Sequence, residues 1–307
     1  MELRQLRYFV RVVELGSMGR AAQDLGVVTS ALSQQISRLE SELSTRLLQR
    51  TSTGVVPTAA GIALWQEAEL VLRHAANAVQ AAQSARLAGH VSIGLAPTTS
   101  SVLAVPLLQA MRSRYPDVRL HLVESLSGNL GQMLGRRQLD LAVVFHAGAR
   151  EGWSLLPVLS EQLFVIGHPG HHPLLTRSSL GLSDIVGLPL VLPTGSHGLR
   201  AIIDAAFFHH GHEPSLVAEV DGLSMLMDIV RSGEAATIQP GAAAVRANDS
   251  QLVSVPLKHS KMVRRNLVAS LADDQLSPAG LAARVVLVDV MRNLVAADKW
   301  PGATLIP

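Results

Sequence analysis

Two short apolar periodicities separated by a glycine constrain this chain more than any other feature. Ser17-Met-Gly-Arg-Ala-Ala-Gln-Asp-Leu-Gly26 starts with a helix-capping serine, places Ala21, Ala22 and Leu25 at helical spacing, and stops at a glycine suited to a left-handed helix end. After Val27-Val28, a second helix opens at Thr29 and runs through Glu40, with Ala31, Leu32, Ile36, Leu39 and Leu43 expected on its buried face. The other face carries Thr29, Ser30, Ser33, Gln34, Ser37 and Arg38, short or planar hydrogen-bonding groups that suit base edges and phosphates. Leu3, Leu6, Phe9, Val10 and Val13 predict a preceding helix that covers the apolar backs of both. Leu47 to Arg50, the turn Thr51-Ser-Thr-Gly54 and Val55-Val56 predict a hairpin wing. Residues 1–58 therefore read as a winged helix-turn-helix DNA-binding domain. Helix, glycine turn and helix alone leave an ordinary helical hairpin with a water-facing polar side as the alternative.

Charge adds little to that reading. The isoelectric point is about 9.4, yet the formal net charge is only +2. Lysine occurs only at Lys258, Lys261 and Lys299, and cysteine is absent, so few groups titrate above neutrality and a small positive excess lifts the isoelectric point. Residues 1–58 hold seven arginines against five acids. The local pattern, and not global charge, carries the nucleic-acid argument. The lack of cysteine removes disulfides and thiolate metal sites. No apolar run approaches the roughly 18 residues of a membrane span, and no export leader is evident, so a cytoplasmic protein is expected.

From Thr58 the pattern changes to one long helix reaching about Leu87. Leu64, Ala68, Val71, Ala75, Ala78 and Ala82, followed by Ala85, step by four and three in alternation, a heptad seam that points to dimerisation through residues 59–88. The plainer reading is a helix lying on its own domain's core.

Residues 89–307 alternate strand and helix patterns, which predicts an α/β domain. Val91 to Leu95, Val118 to Val123 and Asp140 to Phe145 read as strands with helices near 102–114 and 129–138 between them. Leu188 to Leu192, Leu216 to Val220 and Ala235 to Ile238 repeat the arrangement with helices near 199–210 and 223–231. Glu161 to Ile166 and Asn266 to Leu271 lie where the chain crosses between halves, and Ser277-Pro278 opens a last helix expected on the first half. The halves form a bilobed domain with a cleft, lobe I at about 90–160 and 267–300 and lobe II at about 162–266. Thr98, Thr99, Ser100 and Ser101 follow the first strand and precede a helix, and Thr194, Ser196 and His197 hold the equivalent place in the second half. Facing helix N-termini with hydroxyls suit a small anion or carboxylate; each residue alone reads more readily as a cap or turn former, and it is the paired positions that point to a site. Phe145, His146 and Gln239, at strand ends, are further effector candidates.

Gly16-Ser17, Ala21-Ala22, Leu25, Ala31-Leu32-Ser33, Gln35-Ile36, Leu39-Glu40, Leu43, Arg50-Thr51, Gly54-Val55 and Pro57-Thr58-Ala59-Ala60-Gly61 stand in a specific order. Through these residues, and through Leu139-Asp-Leu-Ala142 and Ser232-Gly233, the whole chain resembles the LysR-type transcriptional regulators. Within that family it is most similar to the nitrogen assimilation control branch, through Arg7-Tyr8-Phe9-Val10, Leu32-Ser-Gln-Gln-Ile36 and Gly89-His-Val-Ser-Ile-Gly-Leu-Ala-Pro97. The resemblance implies paired linker helices, a periplasmic-binding-protein-like effector domain, and a homotetramer built as a dimer of dimers. Its implied partners are an operator DNA, a small-molecule effector and RNA polymerase. Two departures stand out. Thr29-Ser30 replace the family's common glutamine and proline at the start of the recognition helix, and Thr53 replaces the arginine common before the wing glycine. Arg20, Arg38, Arg46 and Arg50 remain as phosphate contacts, with Ser17 and Thr53 completing the DNA-binding set.

His168-Pro-Gly-His171-His172 and His209-His210-Gly-His212 look metal-like, but neither has the i, i+4 spacing of a helical zinc motif, and no metal or other cofactor is expected. There is no P-loop, no Gly-x-Ser-x-Gly elbow and no HExxH, so an enzyme is not expected. A solute-binding protein, or an α/β enzyme with a DNA-binding appendage, are the competing readings.

Overall fold

The structure is a computed structural model that describes residues 1–306 apart from 52–53, 84–86, 146–151, 196–197, 248–250 and 260–261. The side chains of residues 50, 77, 80–83, 246 and 247 are also outside the description. The chain forms two compact units, Met1–Arg86 and Leu87–Pro307.

The first unit contains α1 (Leu3–Leu15), α2 (Met18–Asp24), α3 (Thr29–Glu42), the hairpin β1 (Leu48–Thr51) and β2 (Gly54–Pro57), and α4 (Ala59–Gln83). Ser17 caps α2, its hydroxyl accepting the Arg20 N–H. Phe9, Ile36, Leu39 and Leu47 make one core cluster, and Val12, Ala21, Ala22, Leu32 and Val55 make another. The buried stripe of α3 is narrower than its sequence suggests. Leu32, Ile36 and Leu39 are buried, whereas Ala31 and Leu43 are exposed. Successive helical residues turn by about 100°, so Ala31 lies off the stripe that Leu32 starts, and Leu43 is the C-cap, at the end of the helix.

Thr58 caps α4 by accepting the Gly61 N–H at 3.0 Å. The first part of the heptad seam does not face outward as a dimer seam requires. Ala68 is 1% exposed and packs with Leu6 and Val10 of α1, and Leu64 leans on the same core. Both positions therefore serve the unit's own core. Farther along, Val71 and Val79 are exposed at 41% and 55%, Ala78 is exposed and Ala75 half-buried. The side chain of Ala82 lies outside the described residues.

In the second unit, β3 (Gly89–Leu95), α5 (Pro97–Arg114), β4 (Val118–Glu124), α6 (Ser127–Gly135) and β5 (Leu141–Val144) form the first half. The long β6 (Trp153–Gly167) leads into the second half: β7 (Leu190–Leu192), α7 (Gly198–His209), β8 (Leu216–Glu219), α8 (Leu223–Ser232), β9 (Thr237–Pro240), α9 (Ala242–Ala247) and β10 (Val253–Pro256). The chain returns through β11 (Val263–Leu271), α10 (Pro278–Ala296) and β12 (Ala303–Leu305). Parallel pairings of β3 with β4 and β5 define the first lobe, and β7 with β8 the second. The strand β6 spans both, pairing with β11 and β12 in one and with β9 and β10 in the other.

Each lobe has its own core. Val91, Ile93, Leu103 and Leu107 pack with Val286, Leu287 and Met291, so α10 closes the first lobe as its sequence indicates. Leu190, Leu192, Ile203 and Phe207 centre the second. The crossing strands are longer than their apolar runs, because Trp153 to Ser160 continues β6 through residues that pair with β11 on an edge of mixed burial.

Candidate DNA-reading surface and ligand cleft

Ser17, Met18, Gly19, Thr29, Ser30, Ser33, Thr51, Gly54 and Val55 line one hollow of about 400 Å³, formed where α2, α3 and the wing meet. Thr29, Ser30, Gln34, Ser37 and Arg38 are exposed and Ser33 is half-buried. The wing is held against the turn before α2 by the Val55 N–H, which donates to the Gly16 carbonyl at 3.0 Å. Thr53 and the side chain of Arg50 lie outside the described residues.

The five acids of residues 1–58 are each paired within this unit. Arg11 holds Asp24 at 2.6 Å and Glu14 at 2.8 Å, and its guanidinium keeps the Asp24 carboxyl below the usual carboxylate range. Glu42 pairs with the amino terminus, Glu2 with Arg4 at 3.4 Å, and Glu40 with Arg46 at 3.5 Å. Arg46 is 84% exposed despite that contact. Arg20 reaches back to the Leu15 carbonyl, which fixes its stem beside the hollow. A polar concave face with its acids engaged is a surface that attracts phosphates.

Glu40 also fixes the wing. Its Oε1 accepts the Leu47 N–H at 2.8 Å and the Leu48 N–H at 3.1 Å. Glu40→Ala is expected to lower the stability of this unit by about 2 kcal/mol, because two amide donors lose their acceptor, while Glu40→Gln retains most of it. Thermal unfolding of the full chain checks this, and equal melting of the alanine and wild-type proteins would refute it.

In the second unit, Ala96, Pro97, Thr98, Leu126 and Phe145 from one lobe meet Pro193, Val220, Asp221, Leu223, Leu226 and Gln239 from the other, with Arg264 at the crossing, around a cavity of about 20 Å³. Thr98, Phe145 and Gln239 are thus brought together. Thr99, Ser100 and Ser101 are not. Helix α5 starts at Pro97, five residues earlier than expected, so these residues form its first turn and diverge around the axis. Thr99 is fully buried and its hydroxyl has no partner. Ser100 and Ser101 donate back to the Pro97 carbonyl at 3.0 and 2.8 Å, and Ser100 also donates to Glu124. Thr194 is engaged by Asp221, which accepts its N–H and its hydroxyl at 2.9 Å each. His146, Ser196 and His197 lie outside the described residues.

Sequence reasoning missed the charged centre of this cleft. Arg264 donates through Nε and Nη2 to Glu161 Oε2 at 2.9 and 2.7 Å and through Nη2 to Thr98 Oγ1 at 2.8 Å. Its guanidinium carbon lies 3.6 Å from the Phe145 ring centroid, a cation–π contact. Asn266 Nδ2 donates to Glu161 Oε2 at 2.6 Å, and Trp300 Nε1 to Oε1 at 2.8 Å. Burial draws the Arg264 guanidinium below its ordinary value, and Glu161 opposes that pull. The available signal was parity: Arg264 and Asn266 alternate on the inward face of β11, where a strand normally places apolar side chains.

The family model of the bacterial regulatory helix-turn-helix protein, lysR family, matches residues 3–62. The model of the LysR substrate binding domain matches residues 84–292, more than half of the chain. The chain is a LysR-family transcriptional regulator. Among curated relatives of this LysR-family protein, the nitrogen assimilation regulatory protein nac of Klebsiella aerogenes is 36% identical over 250 residues, covering 80% of each chain. The nac protein of Escherichia coli (strain K12) is 35% identical over the same length and coverage. Full-length OxyR from Pseudomonas aeruginosa shares the fold with a TM-score of 0.74 at 22% identity, covering 95% of each chain. Full-length CbnR complexed with its target DNA gives 0.69 at 22% identity, covering 95% of this chain and 99% of that one. No helix among the described residues is long and apolar enough to cross a membrane.

Proposed function

We propose that this LysR-family regulator reads an operator in the cytoplasm with the polar face of α3 in the major groove and the wing beside it, as a dimer or a dimer of dimers. The hollow shared by Ser17, Thr29, Ser30, Ser33 and Thr51 carries this reading, because it gathers small hydrogen-bonding groups at two helix N-termini on one open face. The second half of the α4 seam, with Val71 and Ala78 exposed and Ala75 half-buried, is the candidate pairing surface. RNA polymerase is a further partner, and the likeness to nac supports control of genes of nitrogen use. A small molecule held between the lobes biases their closure and thereby the spacing of the reading heads on a bent operator.

The test is footprinting of the full-length protein on DNA upstream of its own gene and the divergent neighbour, across several salt concentrations. A discrete protected region of several helical turns supports the reading; salt-sensitive, sequence-blind binding overturns it. Gln34→Ala is expected to weaken the preferred site by about 1–3 kcal/mol and to relax sequence preference. Arg38→Ala is expected to weaken all sequences alike and to reduce the salt slope by about 1. Equal salt slopes for Arg38→Ala and wild type would remove Arg38 from the phosphate contacts.

A further inference from the structure

The cleft's inner cavity does not suit the anion that its helix ends suggest. Its buried cation, Arg264, is already paired with Glu161. Asp221 adds a carboxylate to the wall, and the space of about 20 Å³ has room for about one water.

A larger space also borders Phe145. Phe145, Ala201, Ile202, Ala205 and His209 line a predominantly apolar pocket of about 360 Å³, within the roughly 300–1,000 Å³ typical of small-molecule sites. The α7 sequence builds it. Leu199, Ile203, Ala206 and Phe207 are buried, and the first three pack with Phe207 in the second lobe's core. Ala201, Ala205 and His209 recur every fourth residue on a different stripe, with Ile202 beside them. Two alanines facing one phenylalanine leave a gap that larger side chains would close. No carboxylate, lysine or arginine is among the described lining residues, and His209 is the single titratable one.

We propose that the space between Phe145 and this stripe of α7 binds an uncharged, mainly apolar small molecule, such as a substituted aromatic ring, with His209 available for one hydrogen bond. A dry cavity of about 150 Å³ is known to hold benzene, so this pocket admits a ring with a substituent. The proposal rests on the reading of the second unit as the ligand-sensing part and specifies its ligand chemistry. Phe145 supplies the coupling. One side of its ring carries the Arg264 guanidinium, which also holds Thr98 on α5 and Glu161 on β6. A ligand packed on Phe145 therefore bears on the group that ties the first lobe to the crossing strands.

The experiment uses the full-length protein and four named molecules, indole and benzyl alcohol as neutral compounds and benzoate and succinate as anions, followed by ligand-observed saturation-transfer NMR. Ala205→Phe and Ala201→Leu each fill the pocket at an exposed helix position, and Thr98→Val alters the inner cavity. The expected result is binding of the neutral compounds, weakened at least about tenfold by either filling substitution and little changed by Thr98→Val. Neutral binding that ignores both filling substitutions overturns the pocket, as does failure of the neutral compounds to bind. Binding of anions alone, abolished by Thr98→Val, overturns the ligand class while keeping the inter-lobe cleft as the sensing site. A separate footprint with each bound compound judges sensing itself: occupancy of the pocket with no change in protection or bending counts against the sensing reading and leaves the binding site in place.

Discussion

Glu161→Ala is expected to destabilise the second unit by about 3–5 kcal/mol, the usual cost of stranding one member of a buried ion pair. Glu161 is fully buried and accepts from Arg264, Asn266 and Trp300. Alanine leaves a guanidinium that is 1% exposed with no carboxylate, and two neutral donors with no acceptor. Urea unfolding of the full chain followed by tryptophan fluorescence reads this directly, since Trp153 and Trp300 both lie in the second unit. The double substitution Glu161→Leu with Arg264→Met is expected to recover most of the loss, because a well-packed apolar pair replaces a buried ion pair at little net cost. A single alanine variant that unfolds with the wild-type midpoint would show that the pair contributes nothing to holding the crossing strands.

Gly54→Ala is expected to cost about 3 kcal/mol in the first unit and to lower operator affinity with it. Gly54 has φ +141°, a conformation strained for any L side chain, and a Cβ built there would sit 2.4 Å from the Gly16 carbonyl oxygen. That same oxygen accepts the Val55 N–H that holds the wing. Relief of the clash must push the wing from the turn before α2 and open the hollow where Ser17, Ser33 and Thr51 converge. Gly26→Ala is the matched control. Gly26 has φ +65° but open space around its Cβ, so only the left-handed strain of about 1–2 kcal/mol applies. Anisotropy of a labelled operator fragment at fixed salt, beside thermal unfolding, separates the two. Equal affinity losses for both variants would mean that wing docking does not shape the reading surface.

The reading head was legible because its information is local. Ser17 caps, Gly26 turns, and Leu32, Ile36 and Leu39 bury at a spacing that only a helix produces. The start of α5 was less so. Pro97 at its first turn was the available sign, but four hydroxyl residues in a row look the same in a loop and in a first helical turn. The seam on α4 was legible as a pattern and ambiguous in its use, since the same alanines suit a partner helix or the unit's own α1, and the structure assigns Ala68 to α1.

Family, order of elements and the identity of the polar face of α3 thus follow from the sequence alone, through contacts between residues only a few positions apart. The contents of the cleft were decided by tertiary structure. Arg264 and Glu161 are 103 residues apart, and Arg264 and Thr98 are 166 apart. Their meeting depends on β6 and β11 pairing in register beside α5, a long-range arrangement with no local signature. That pairing turns a cleft with two inviting helix ends into one whose charge is already matched, while the larger open volume beside Phe145 is lined by apolar residues of α7.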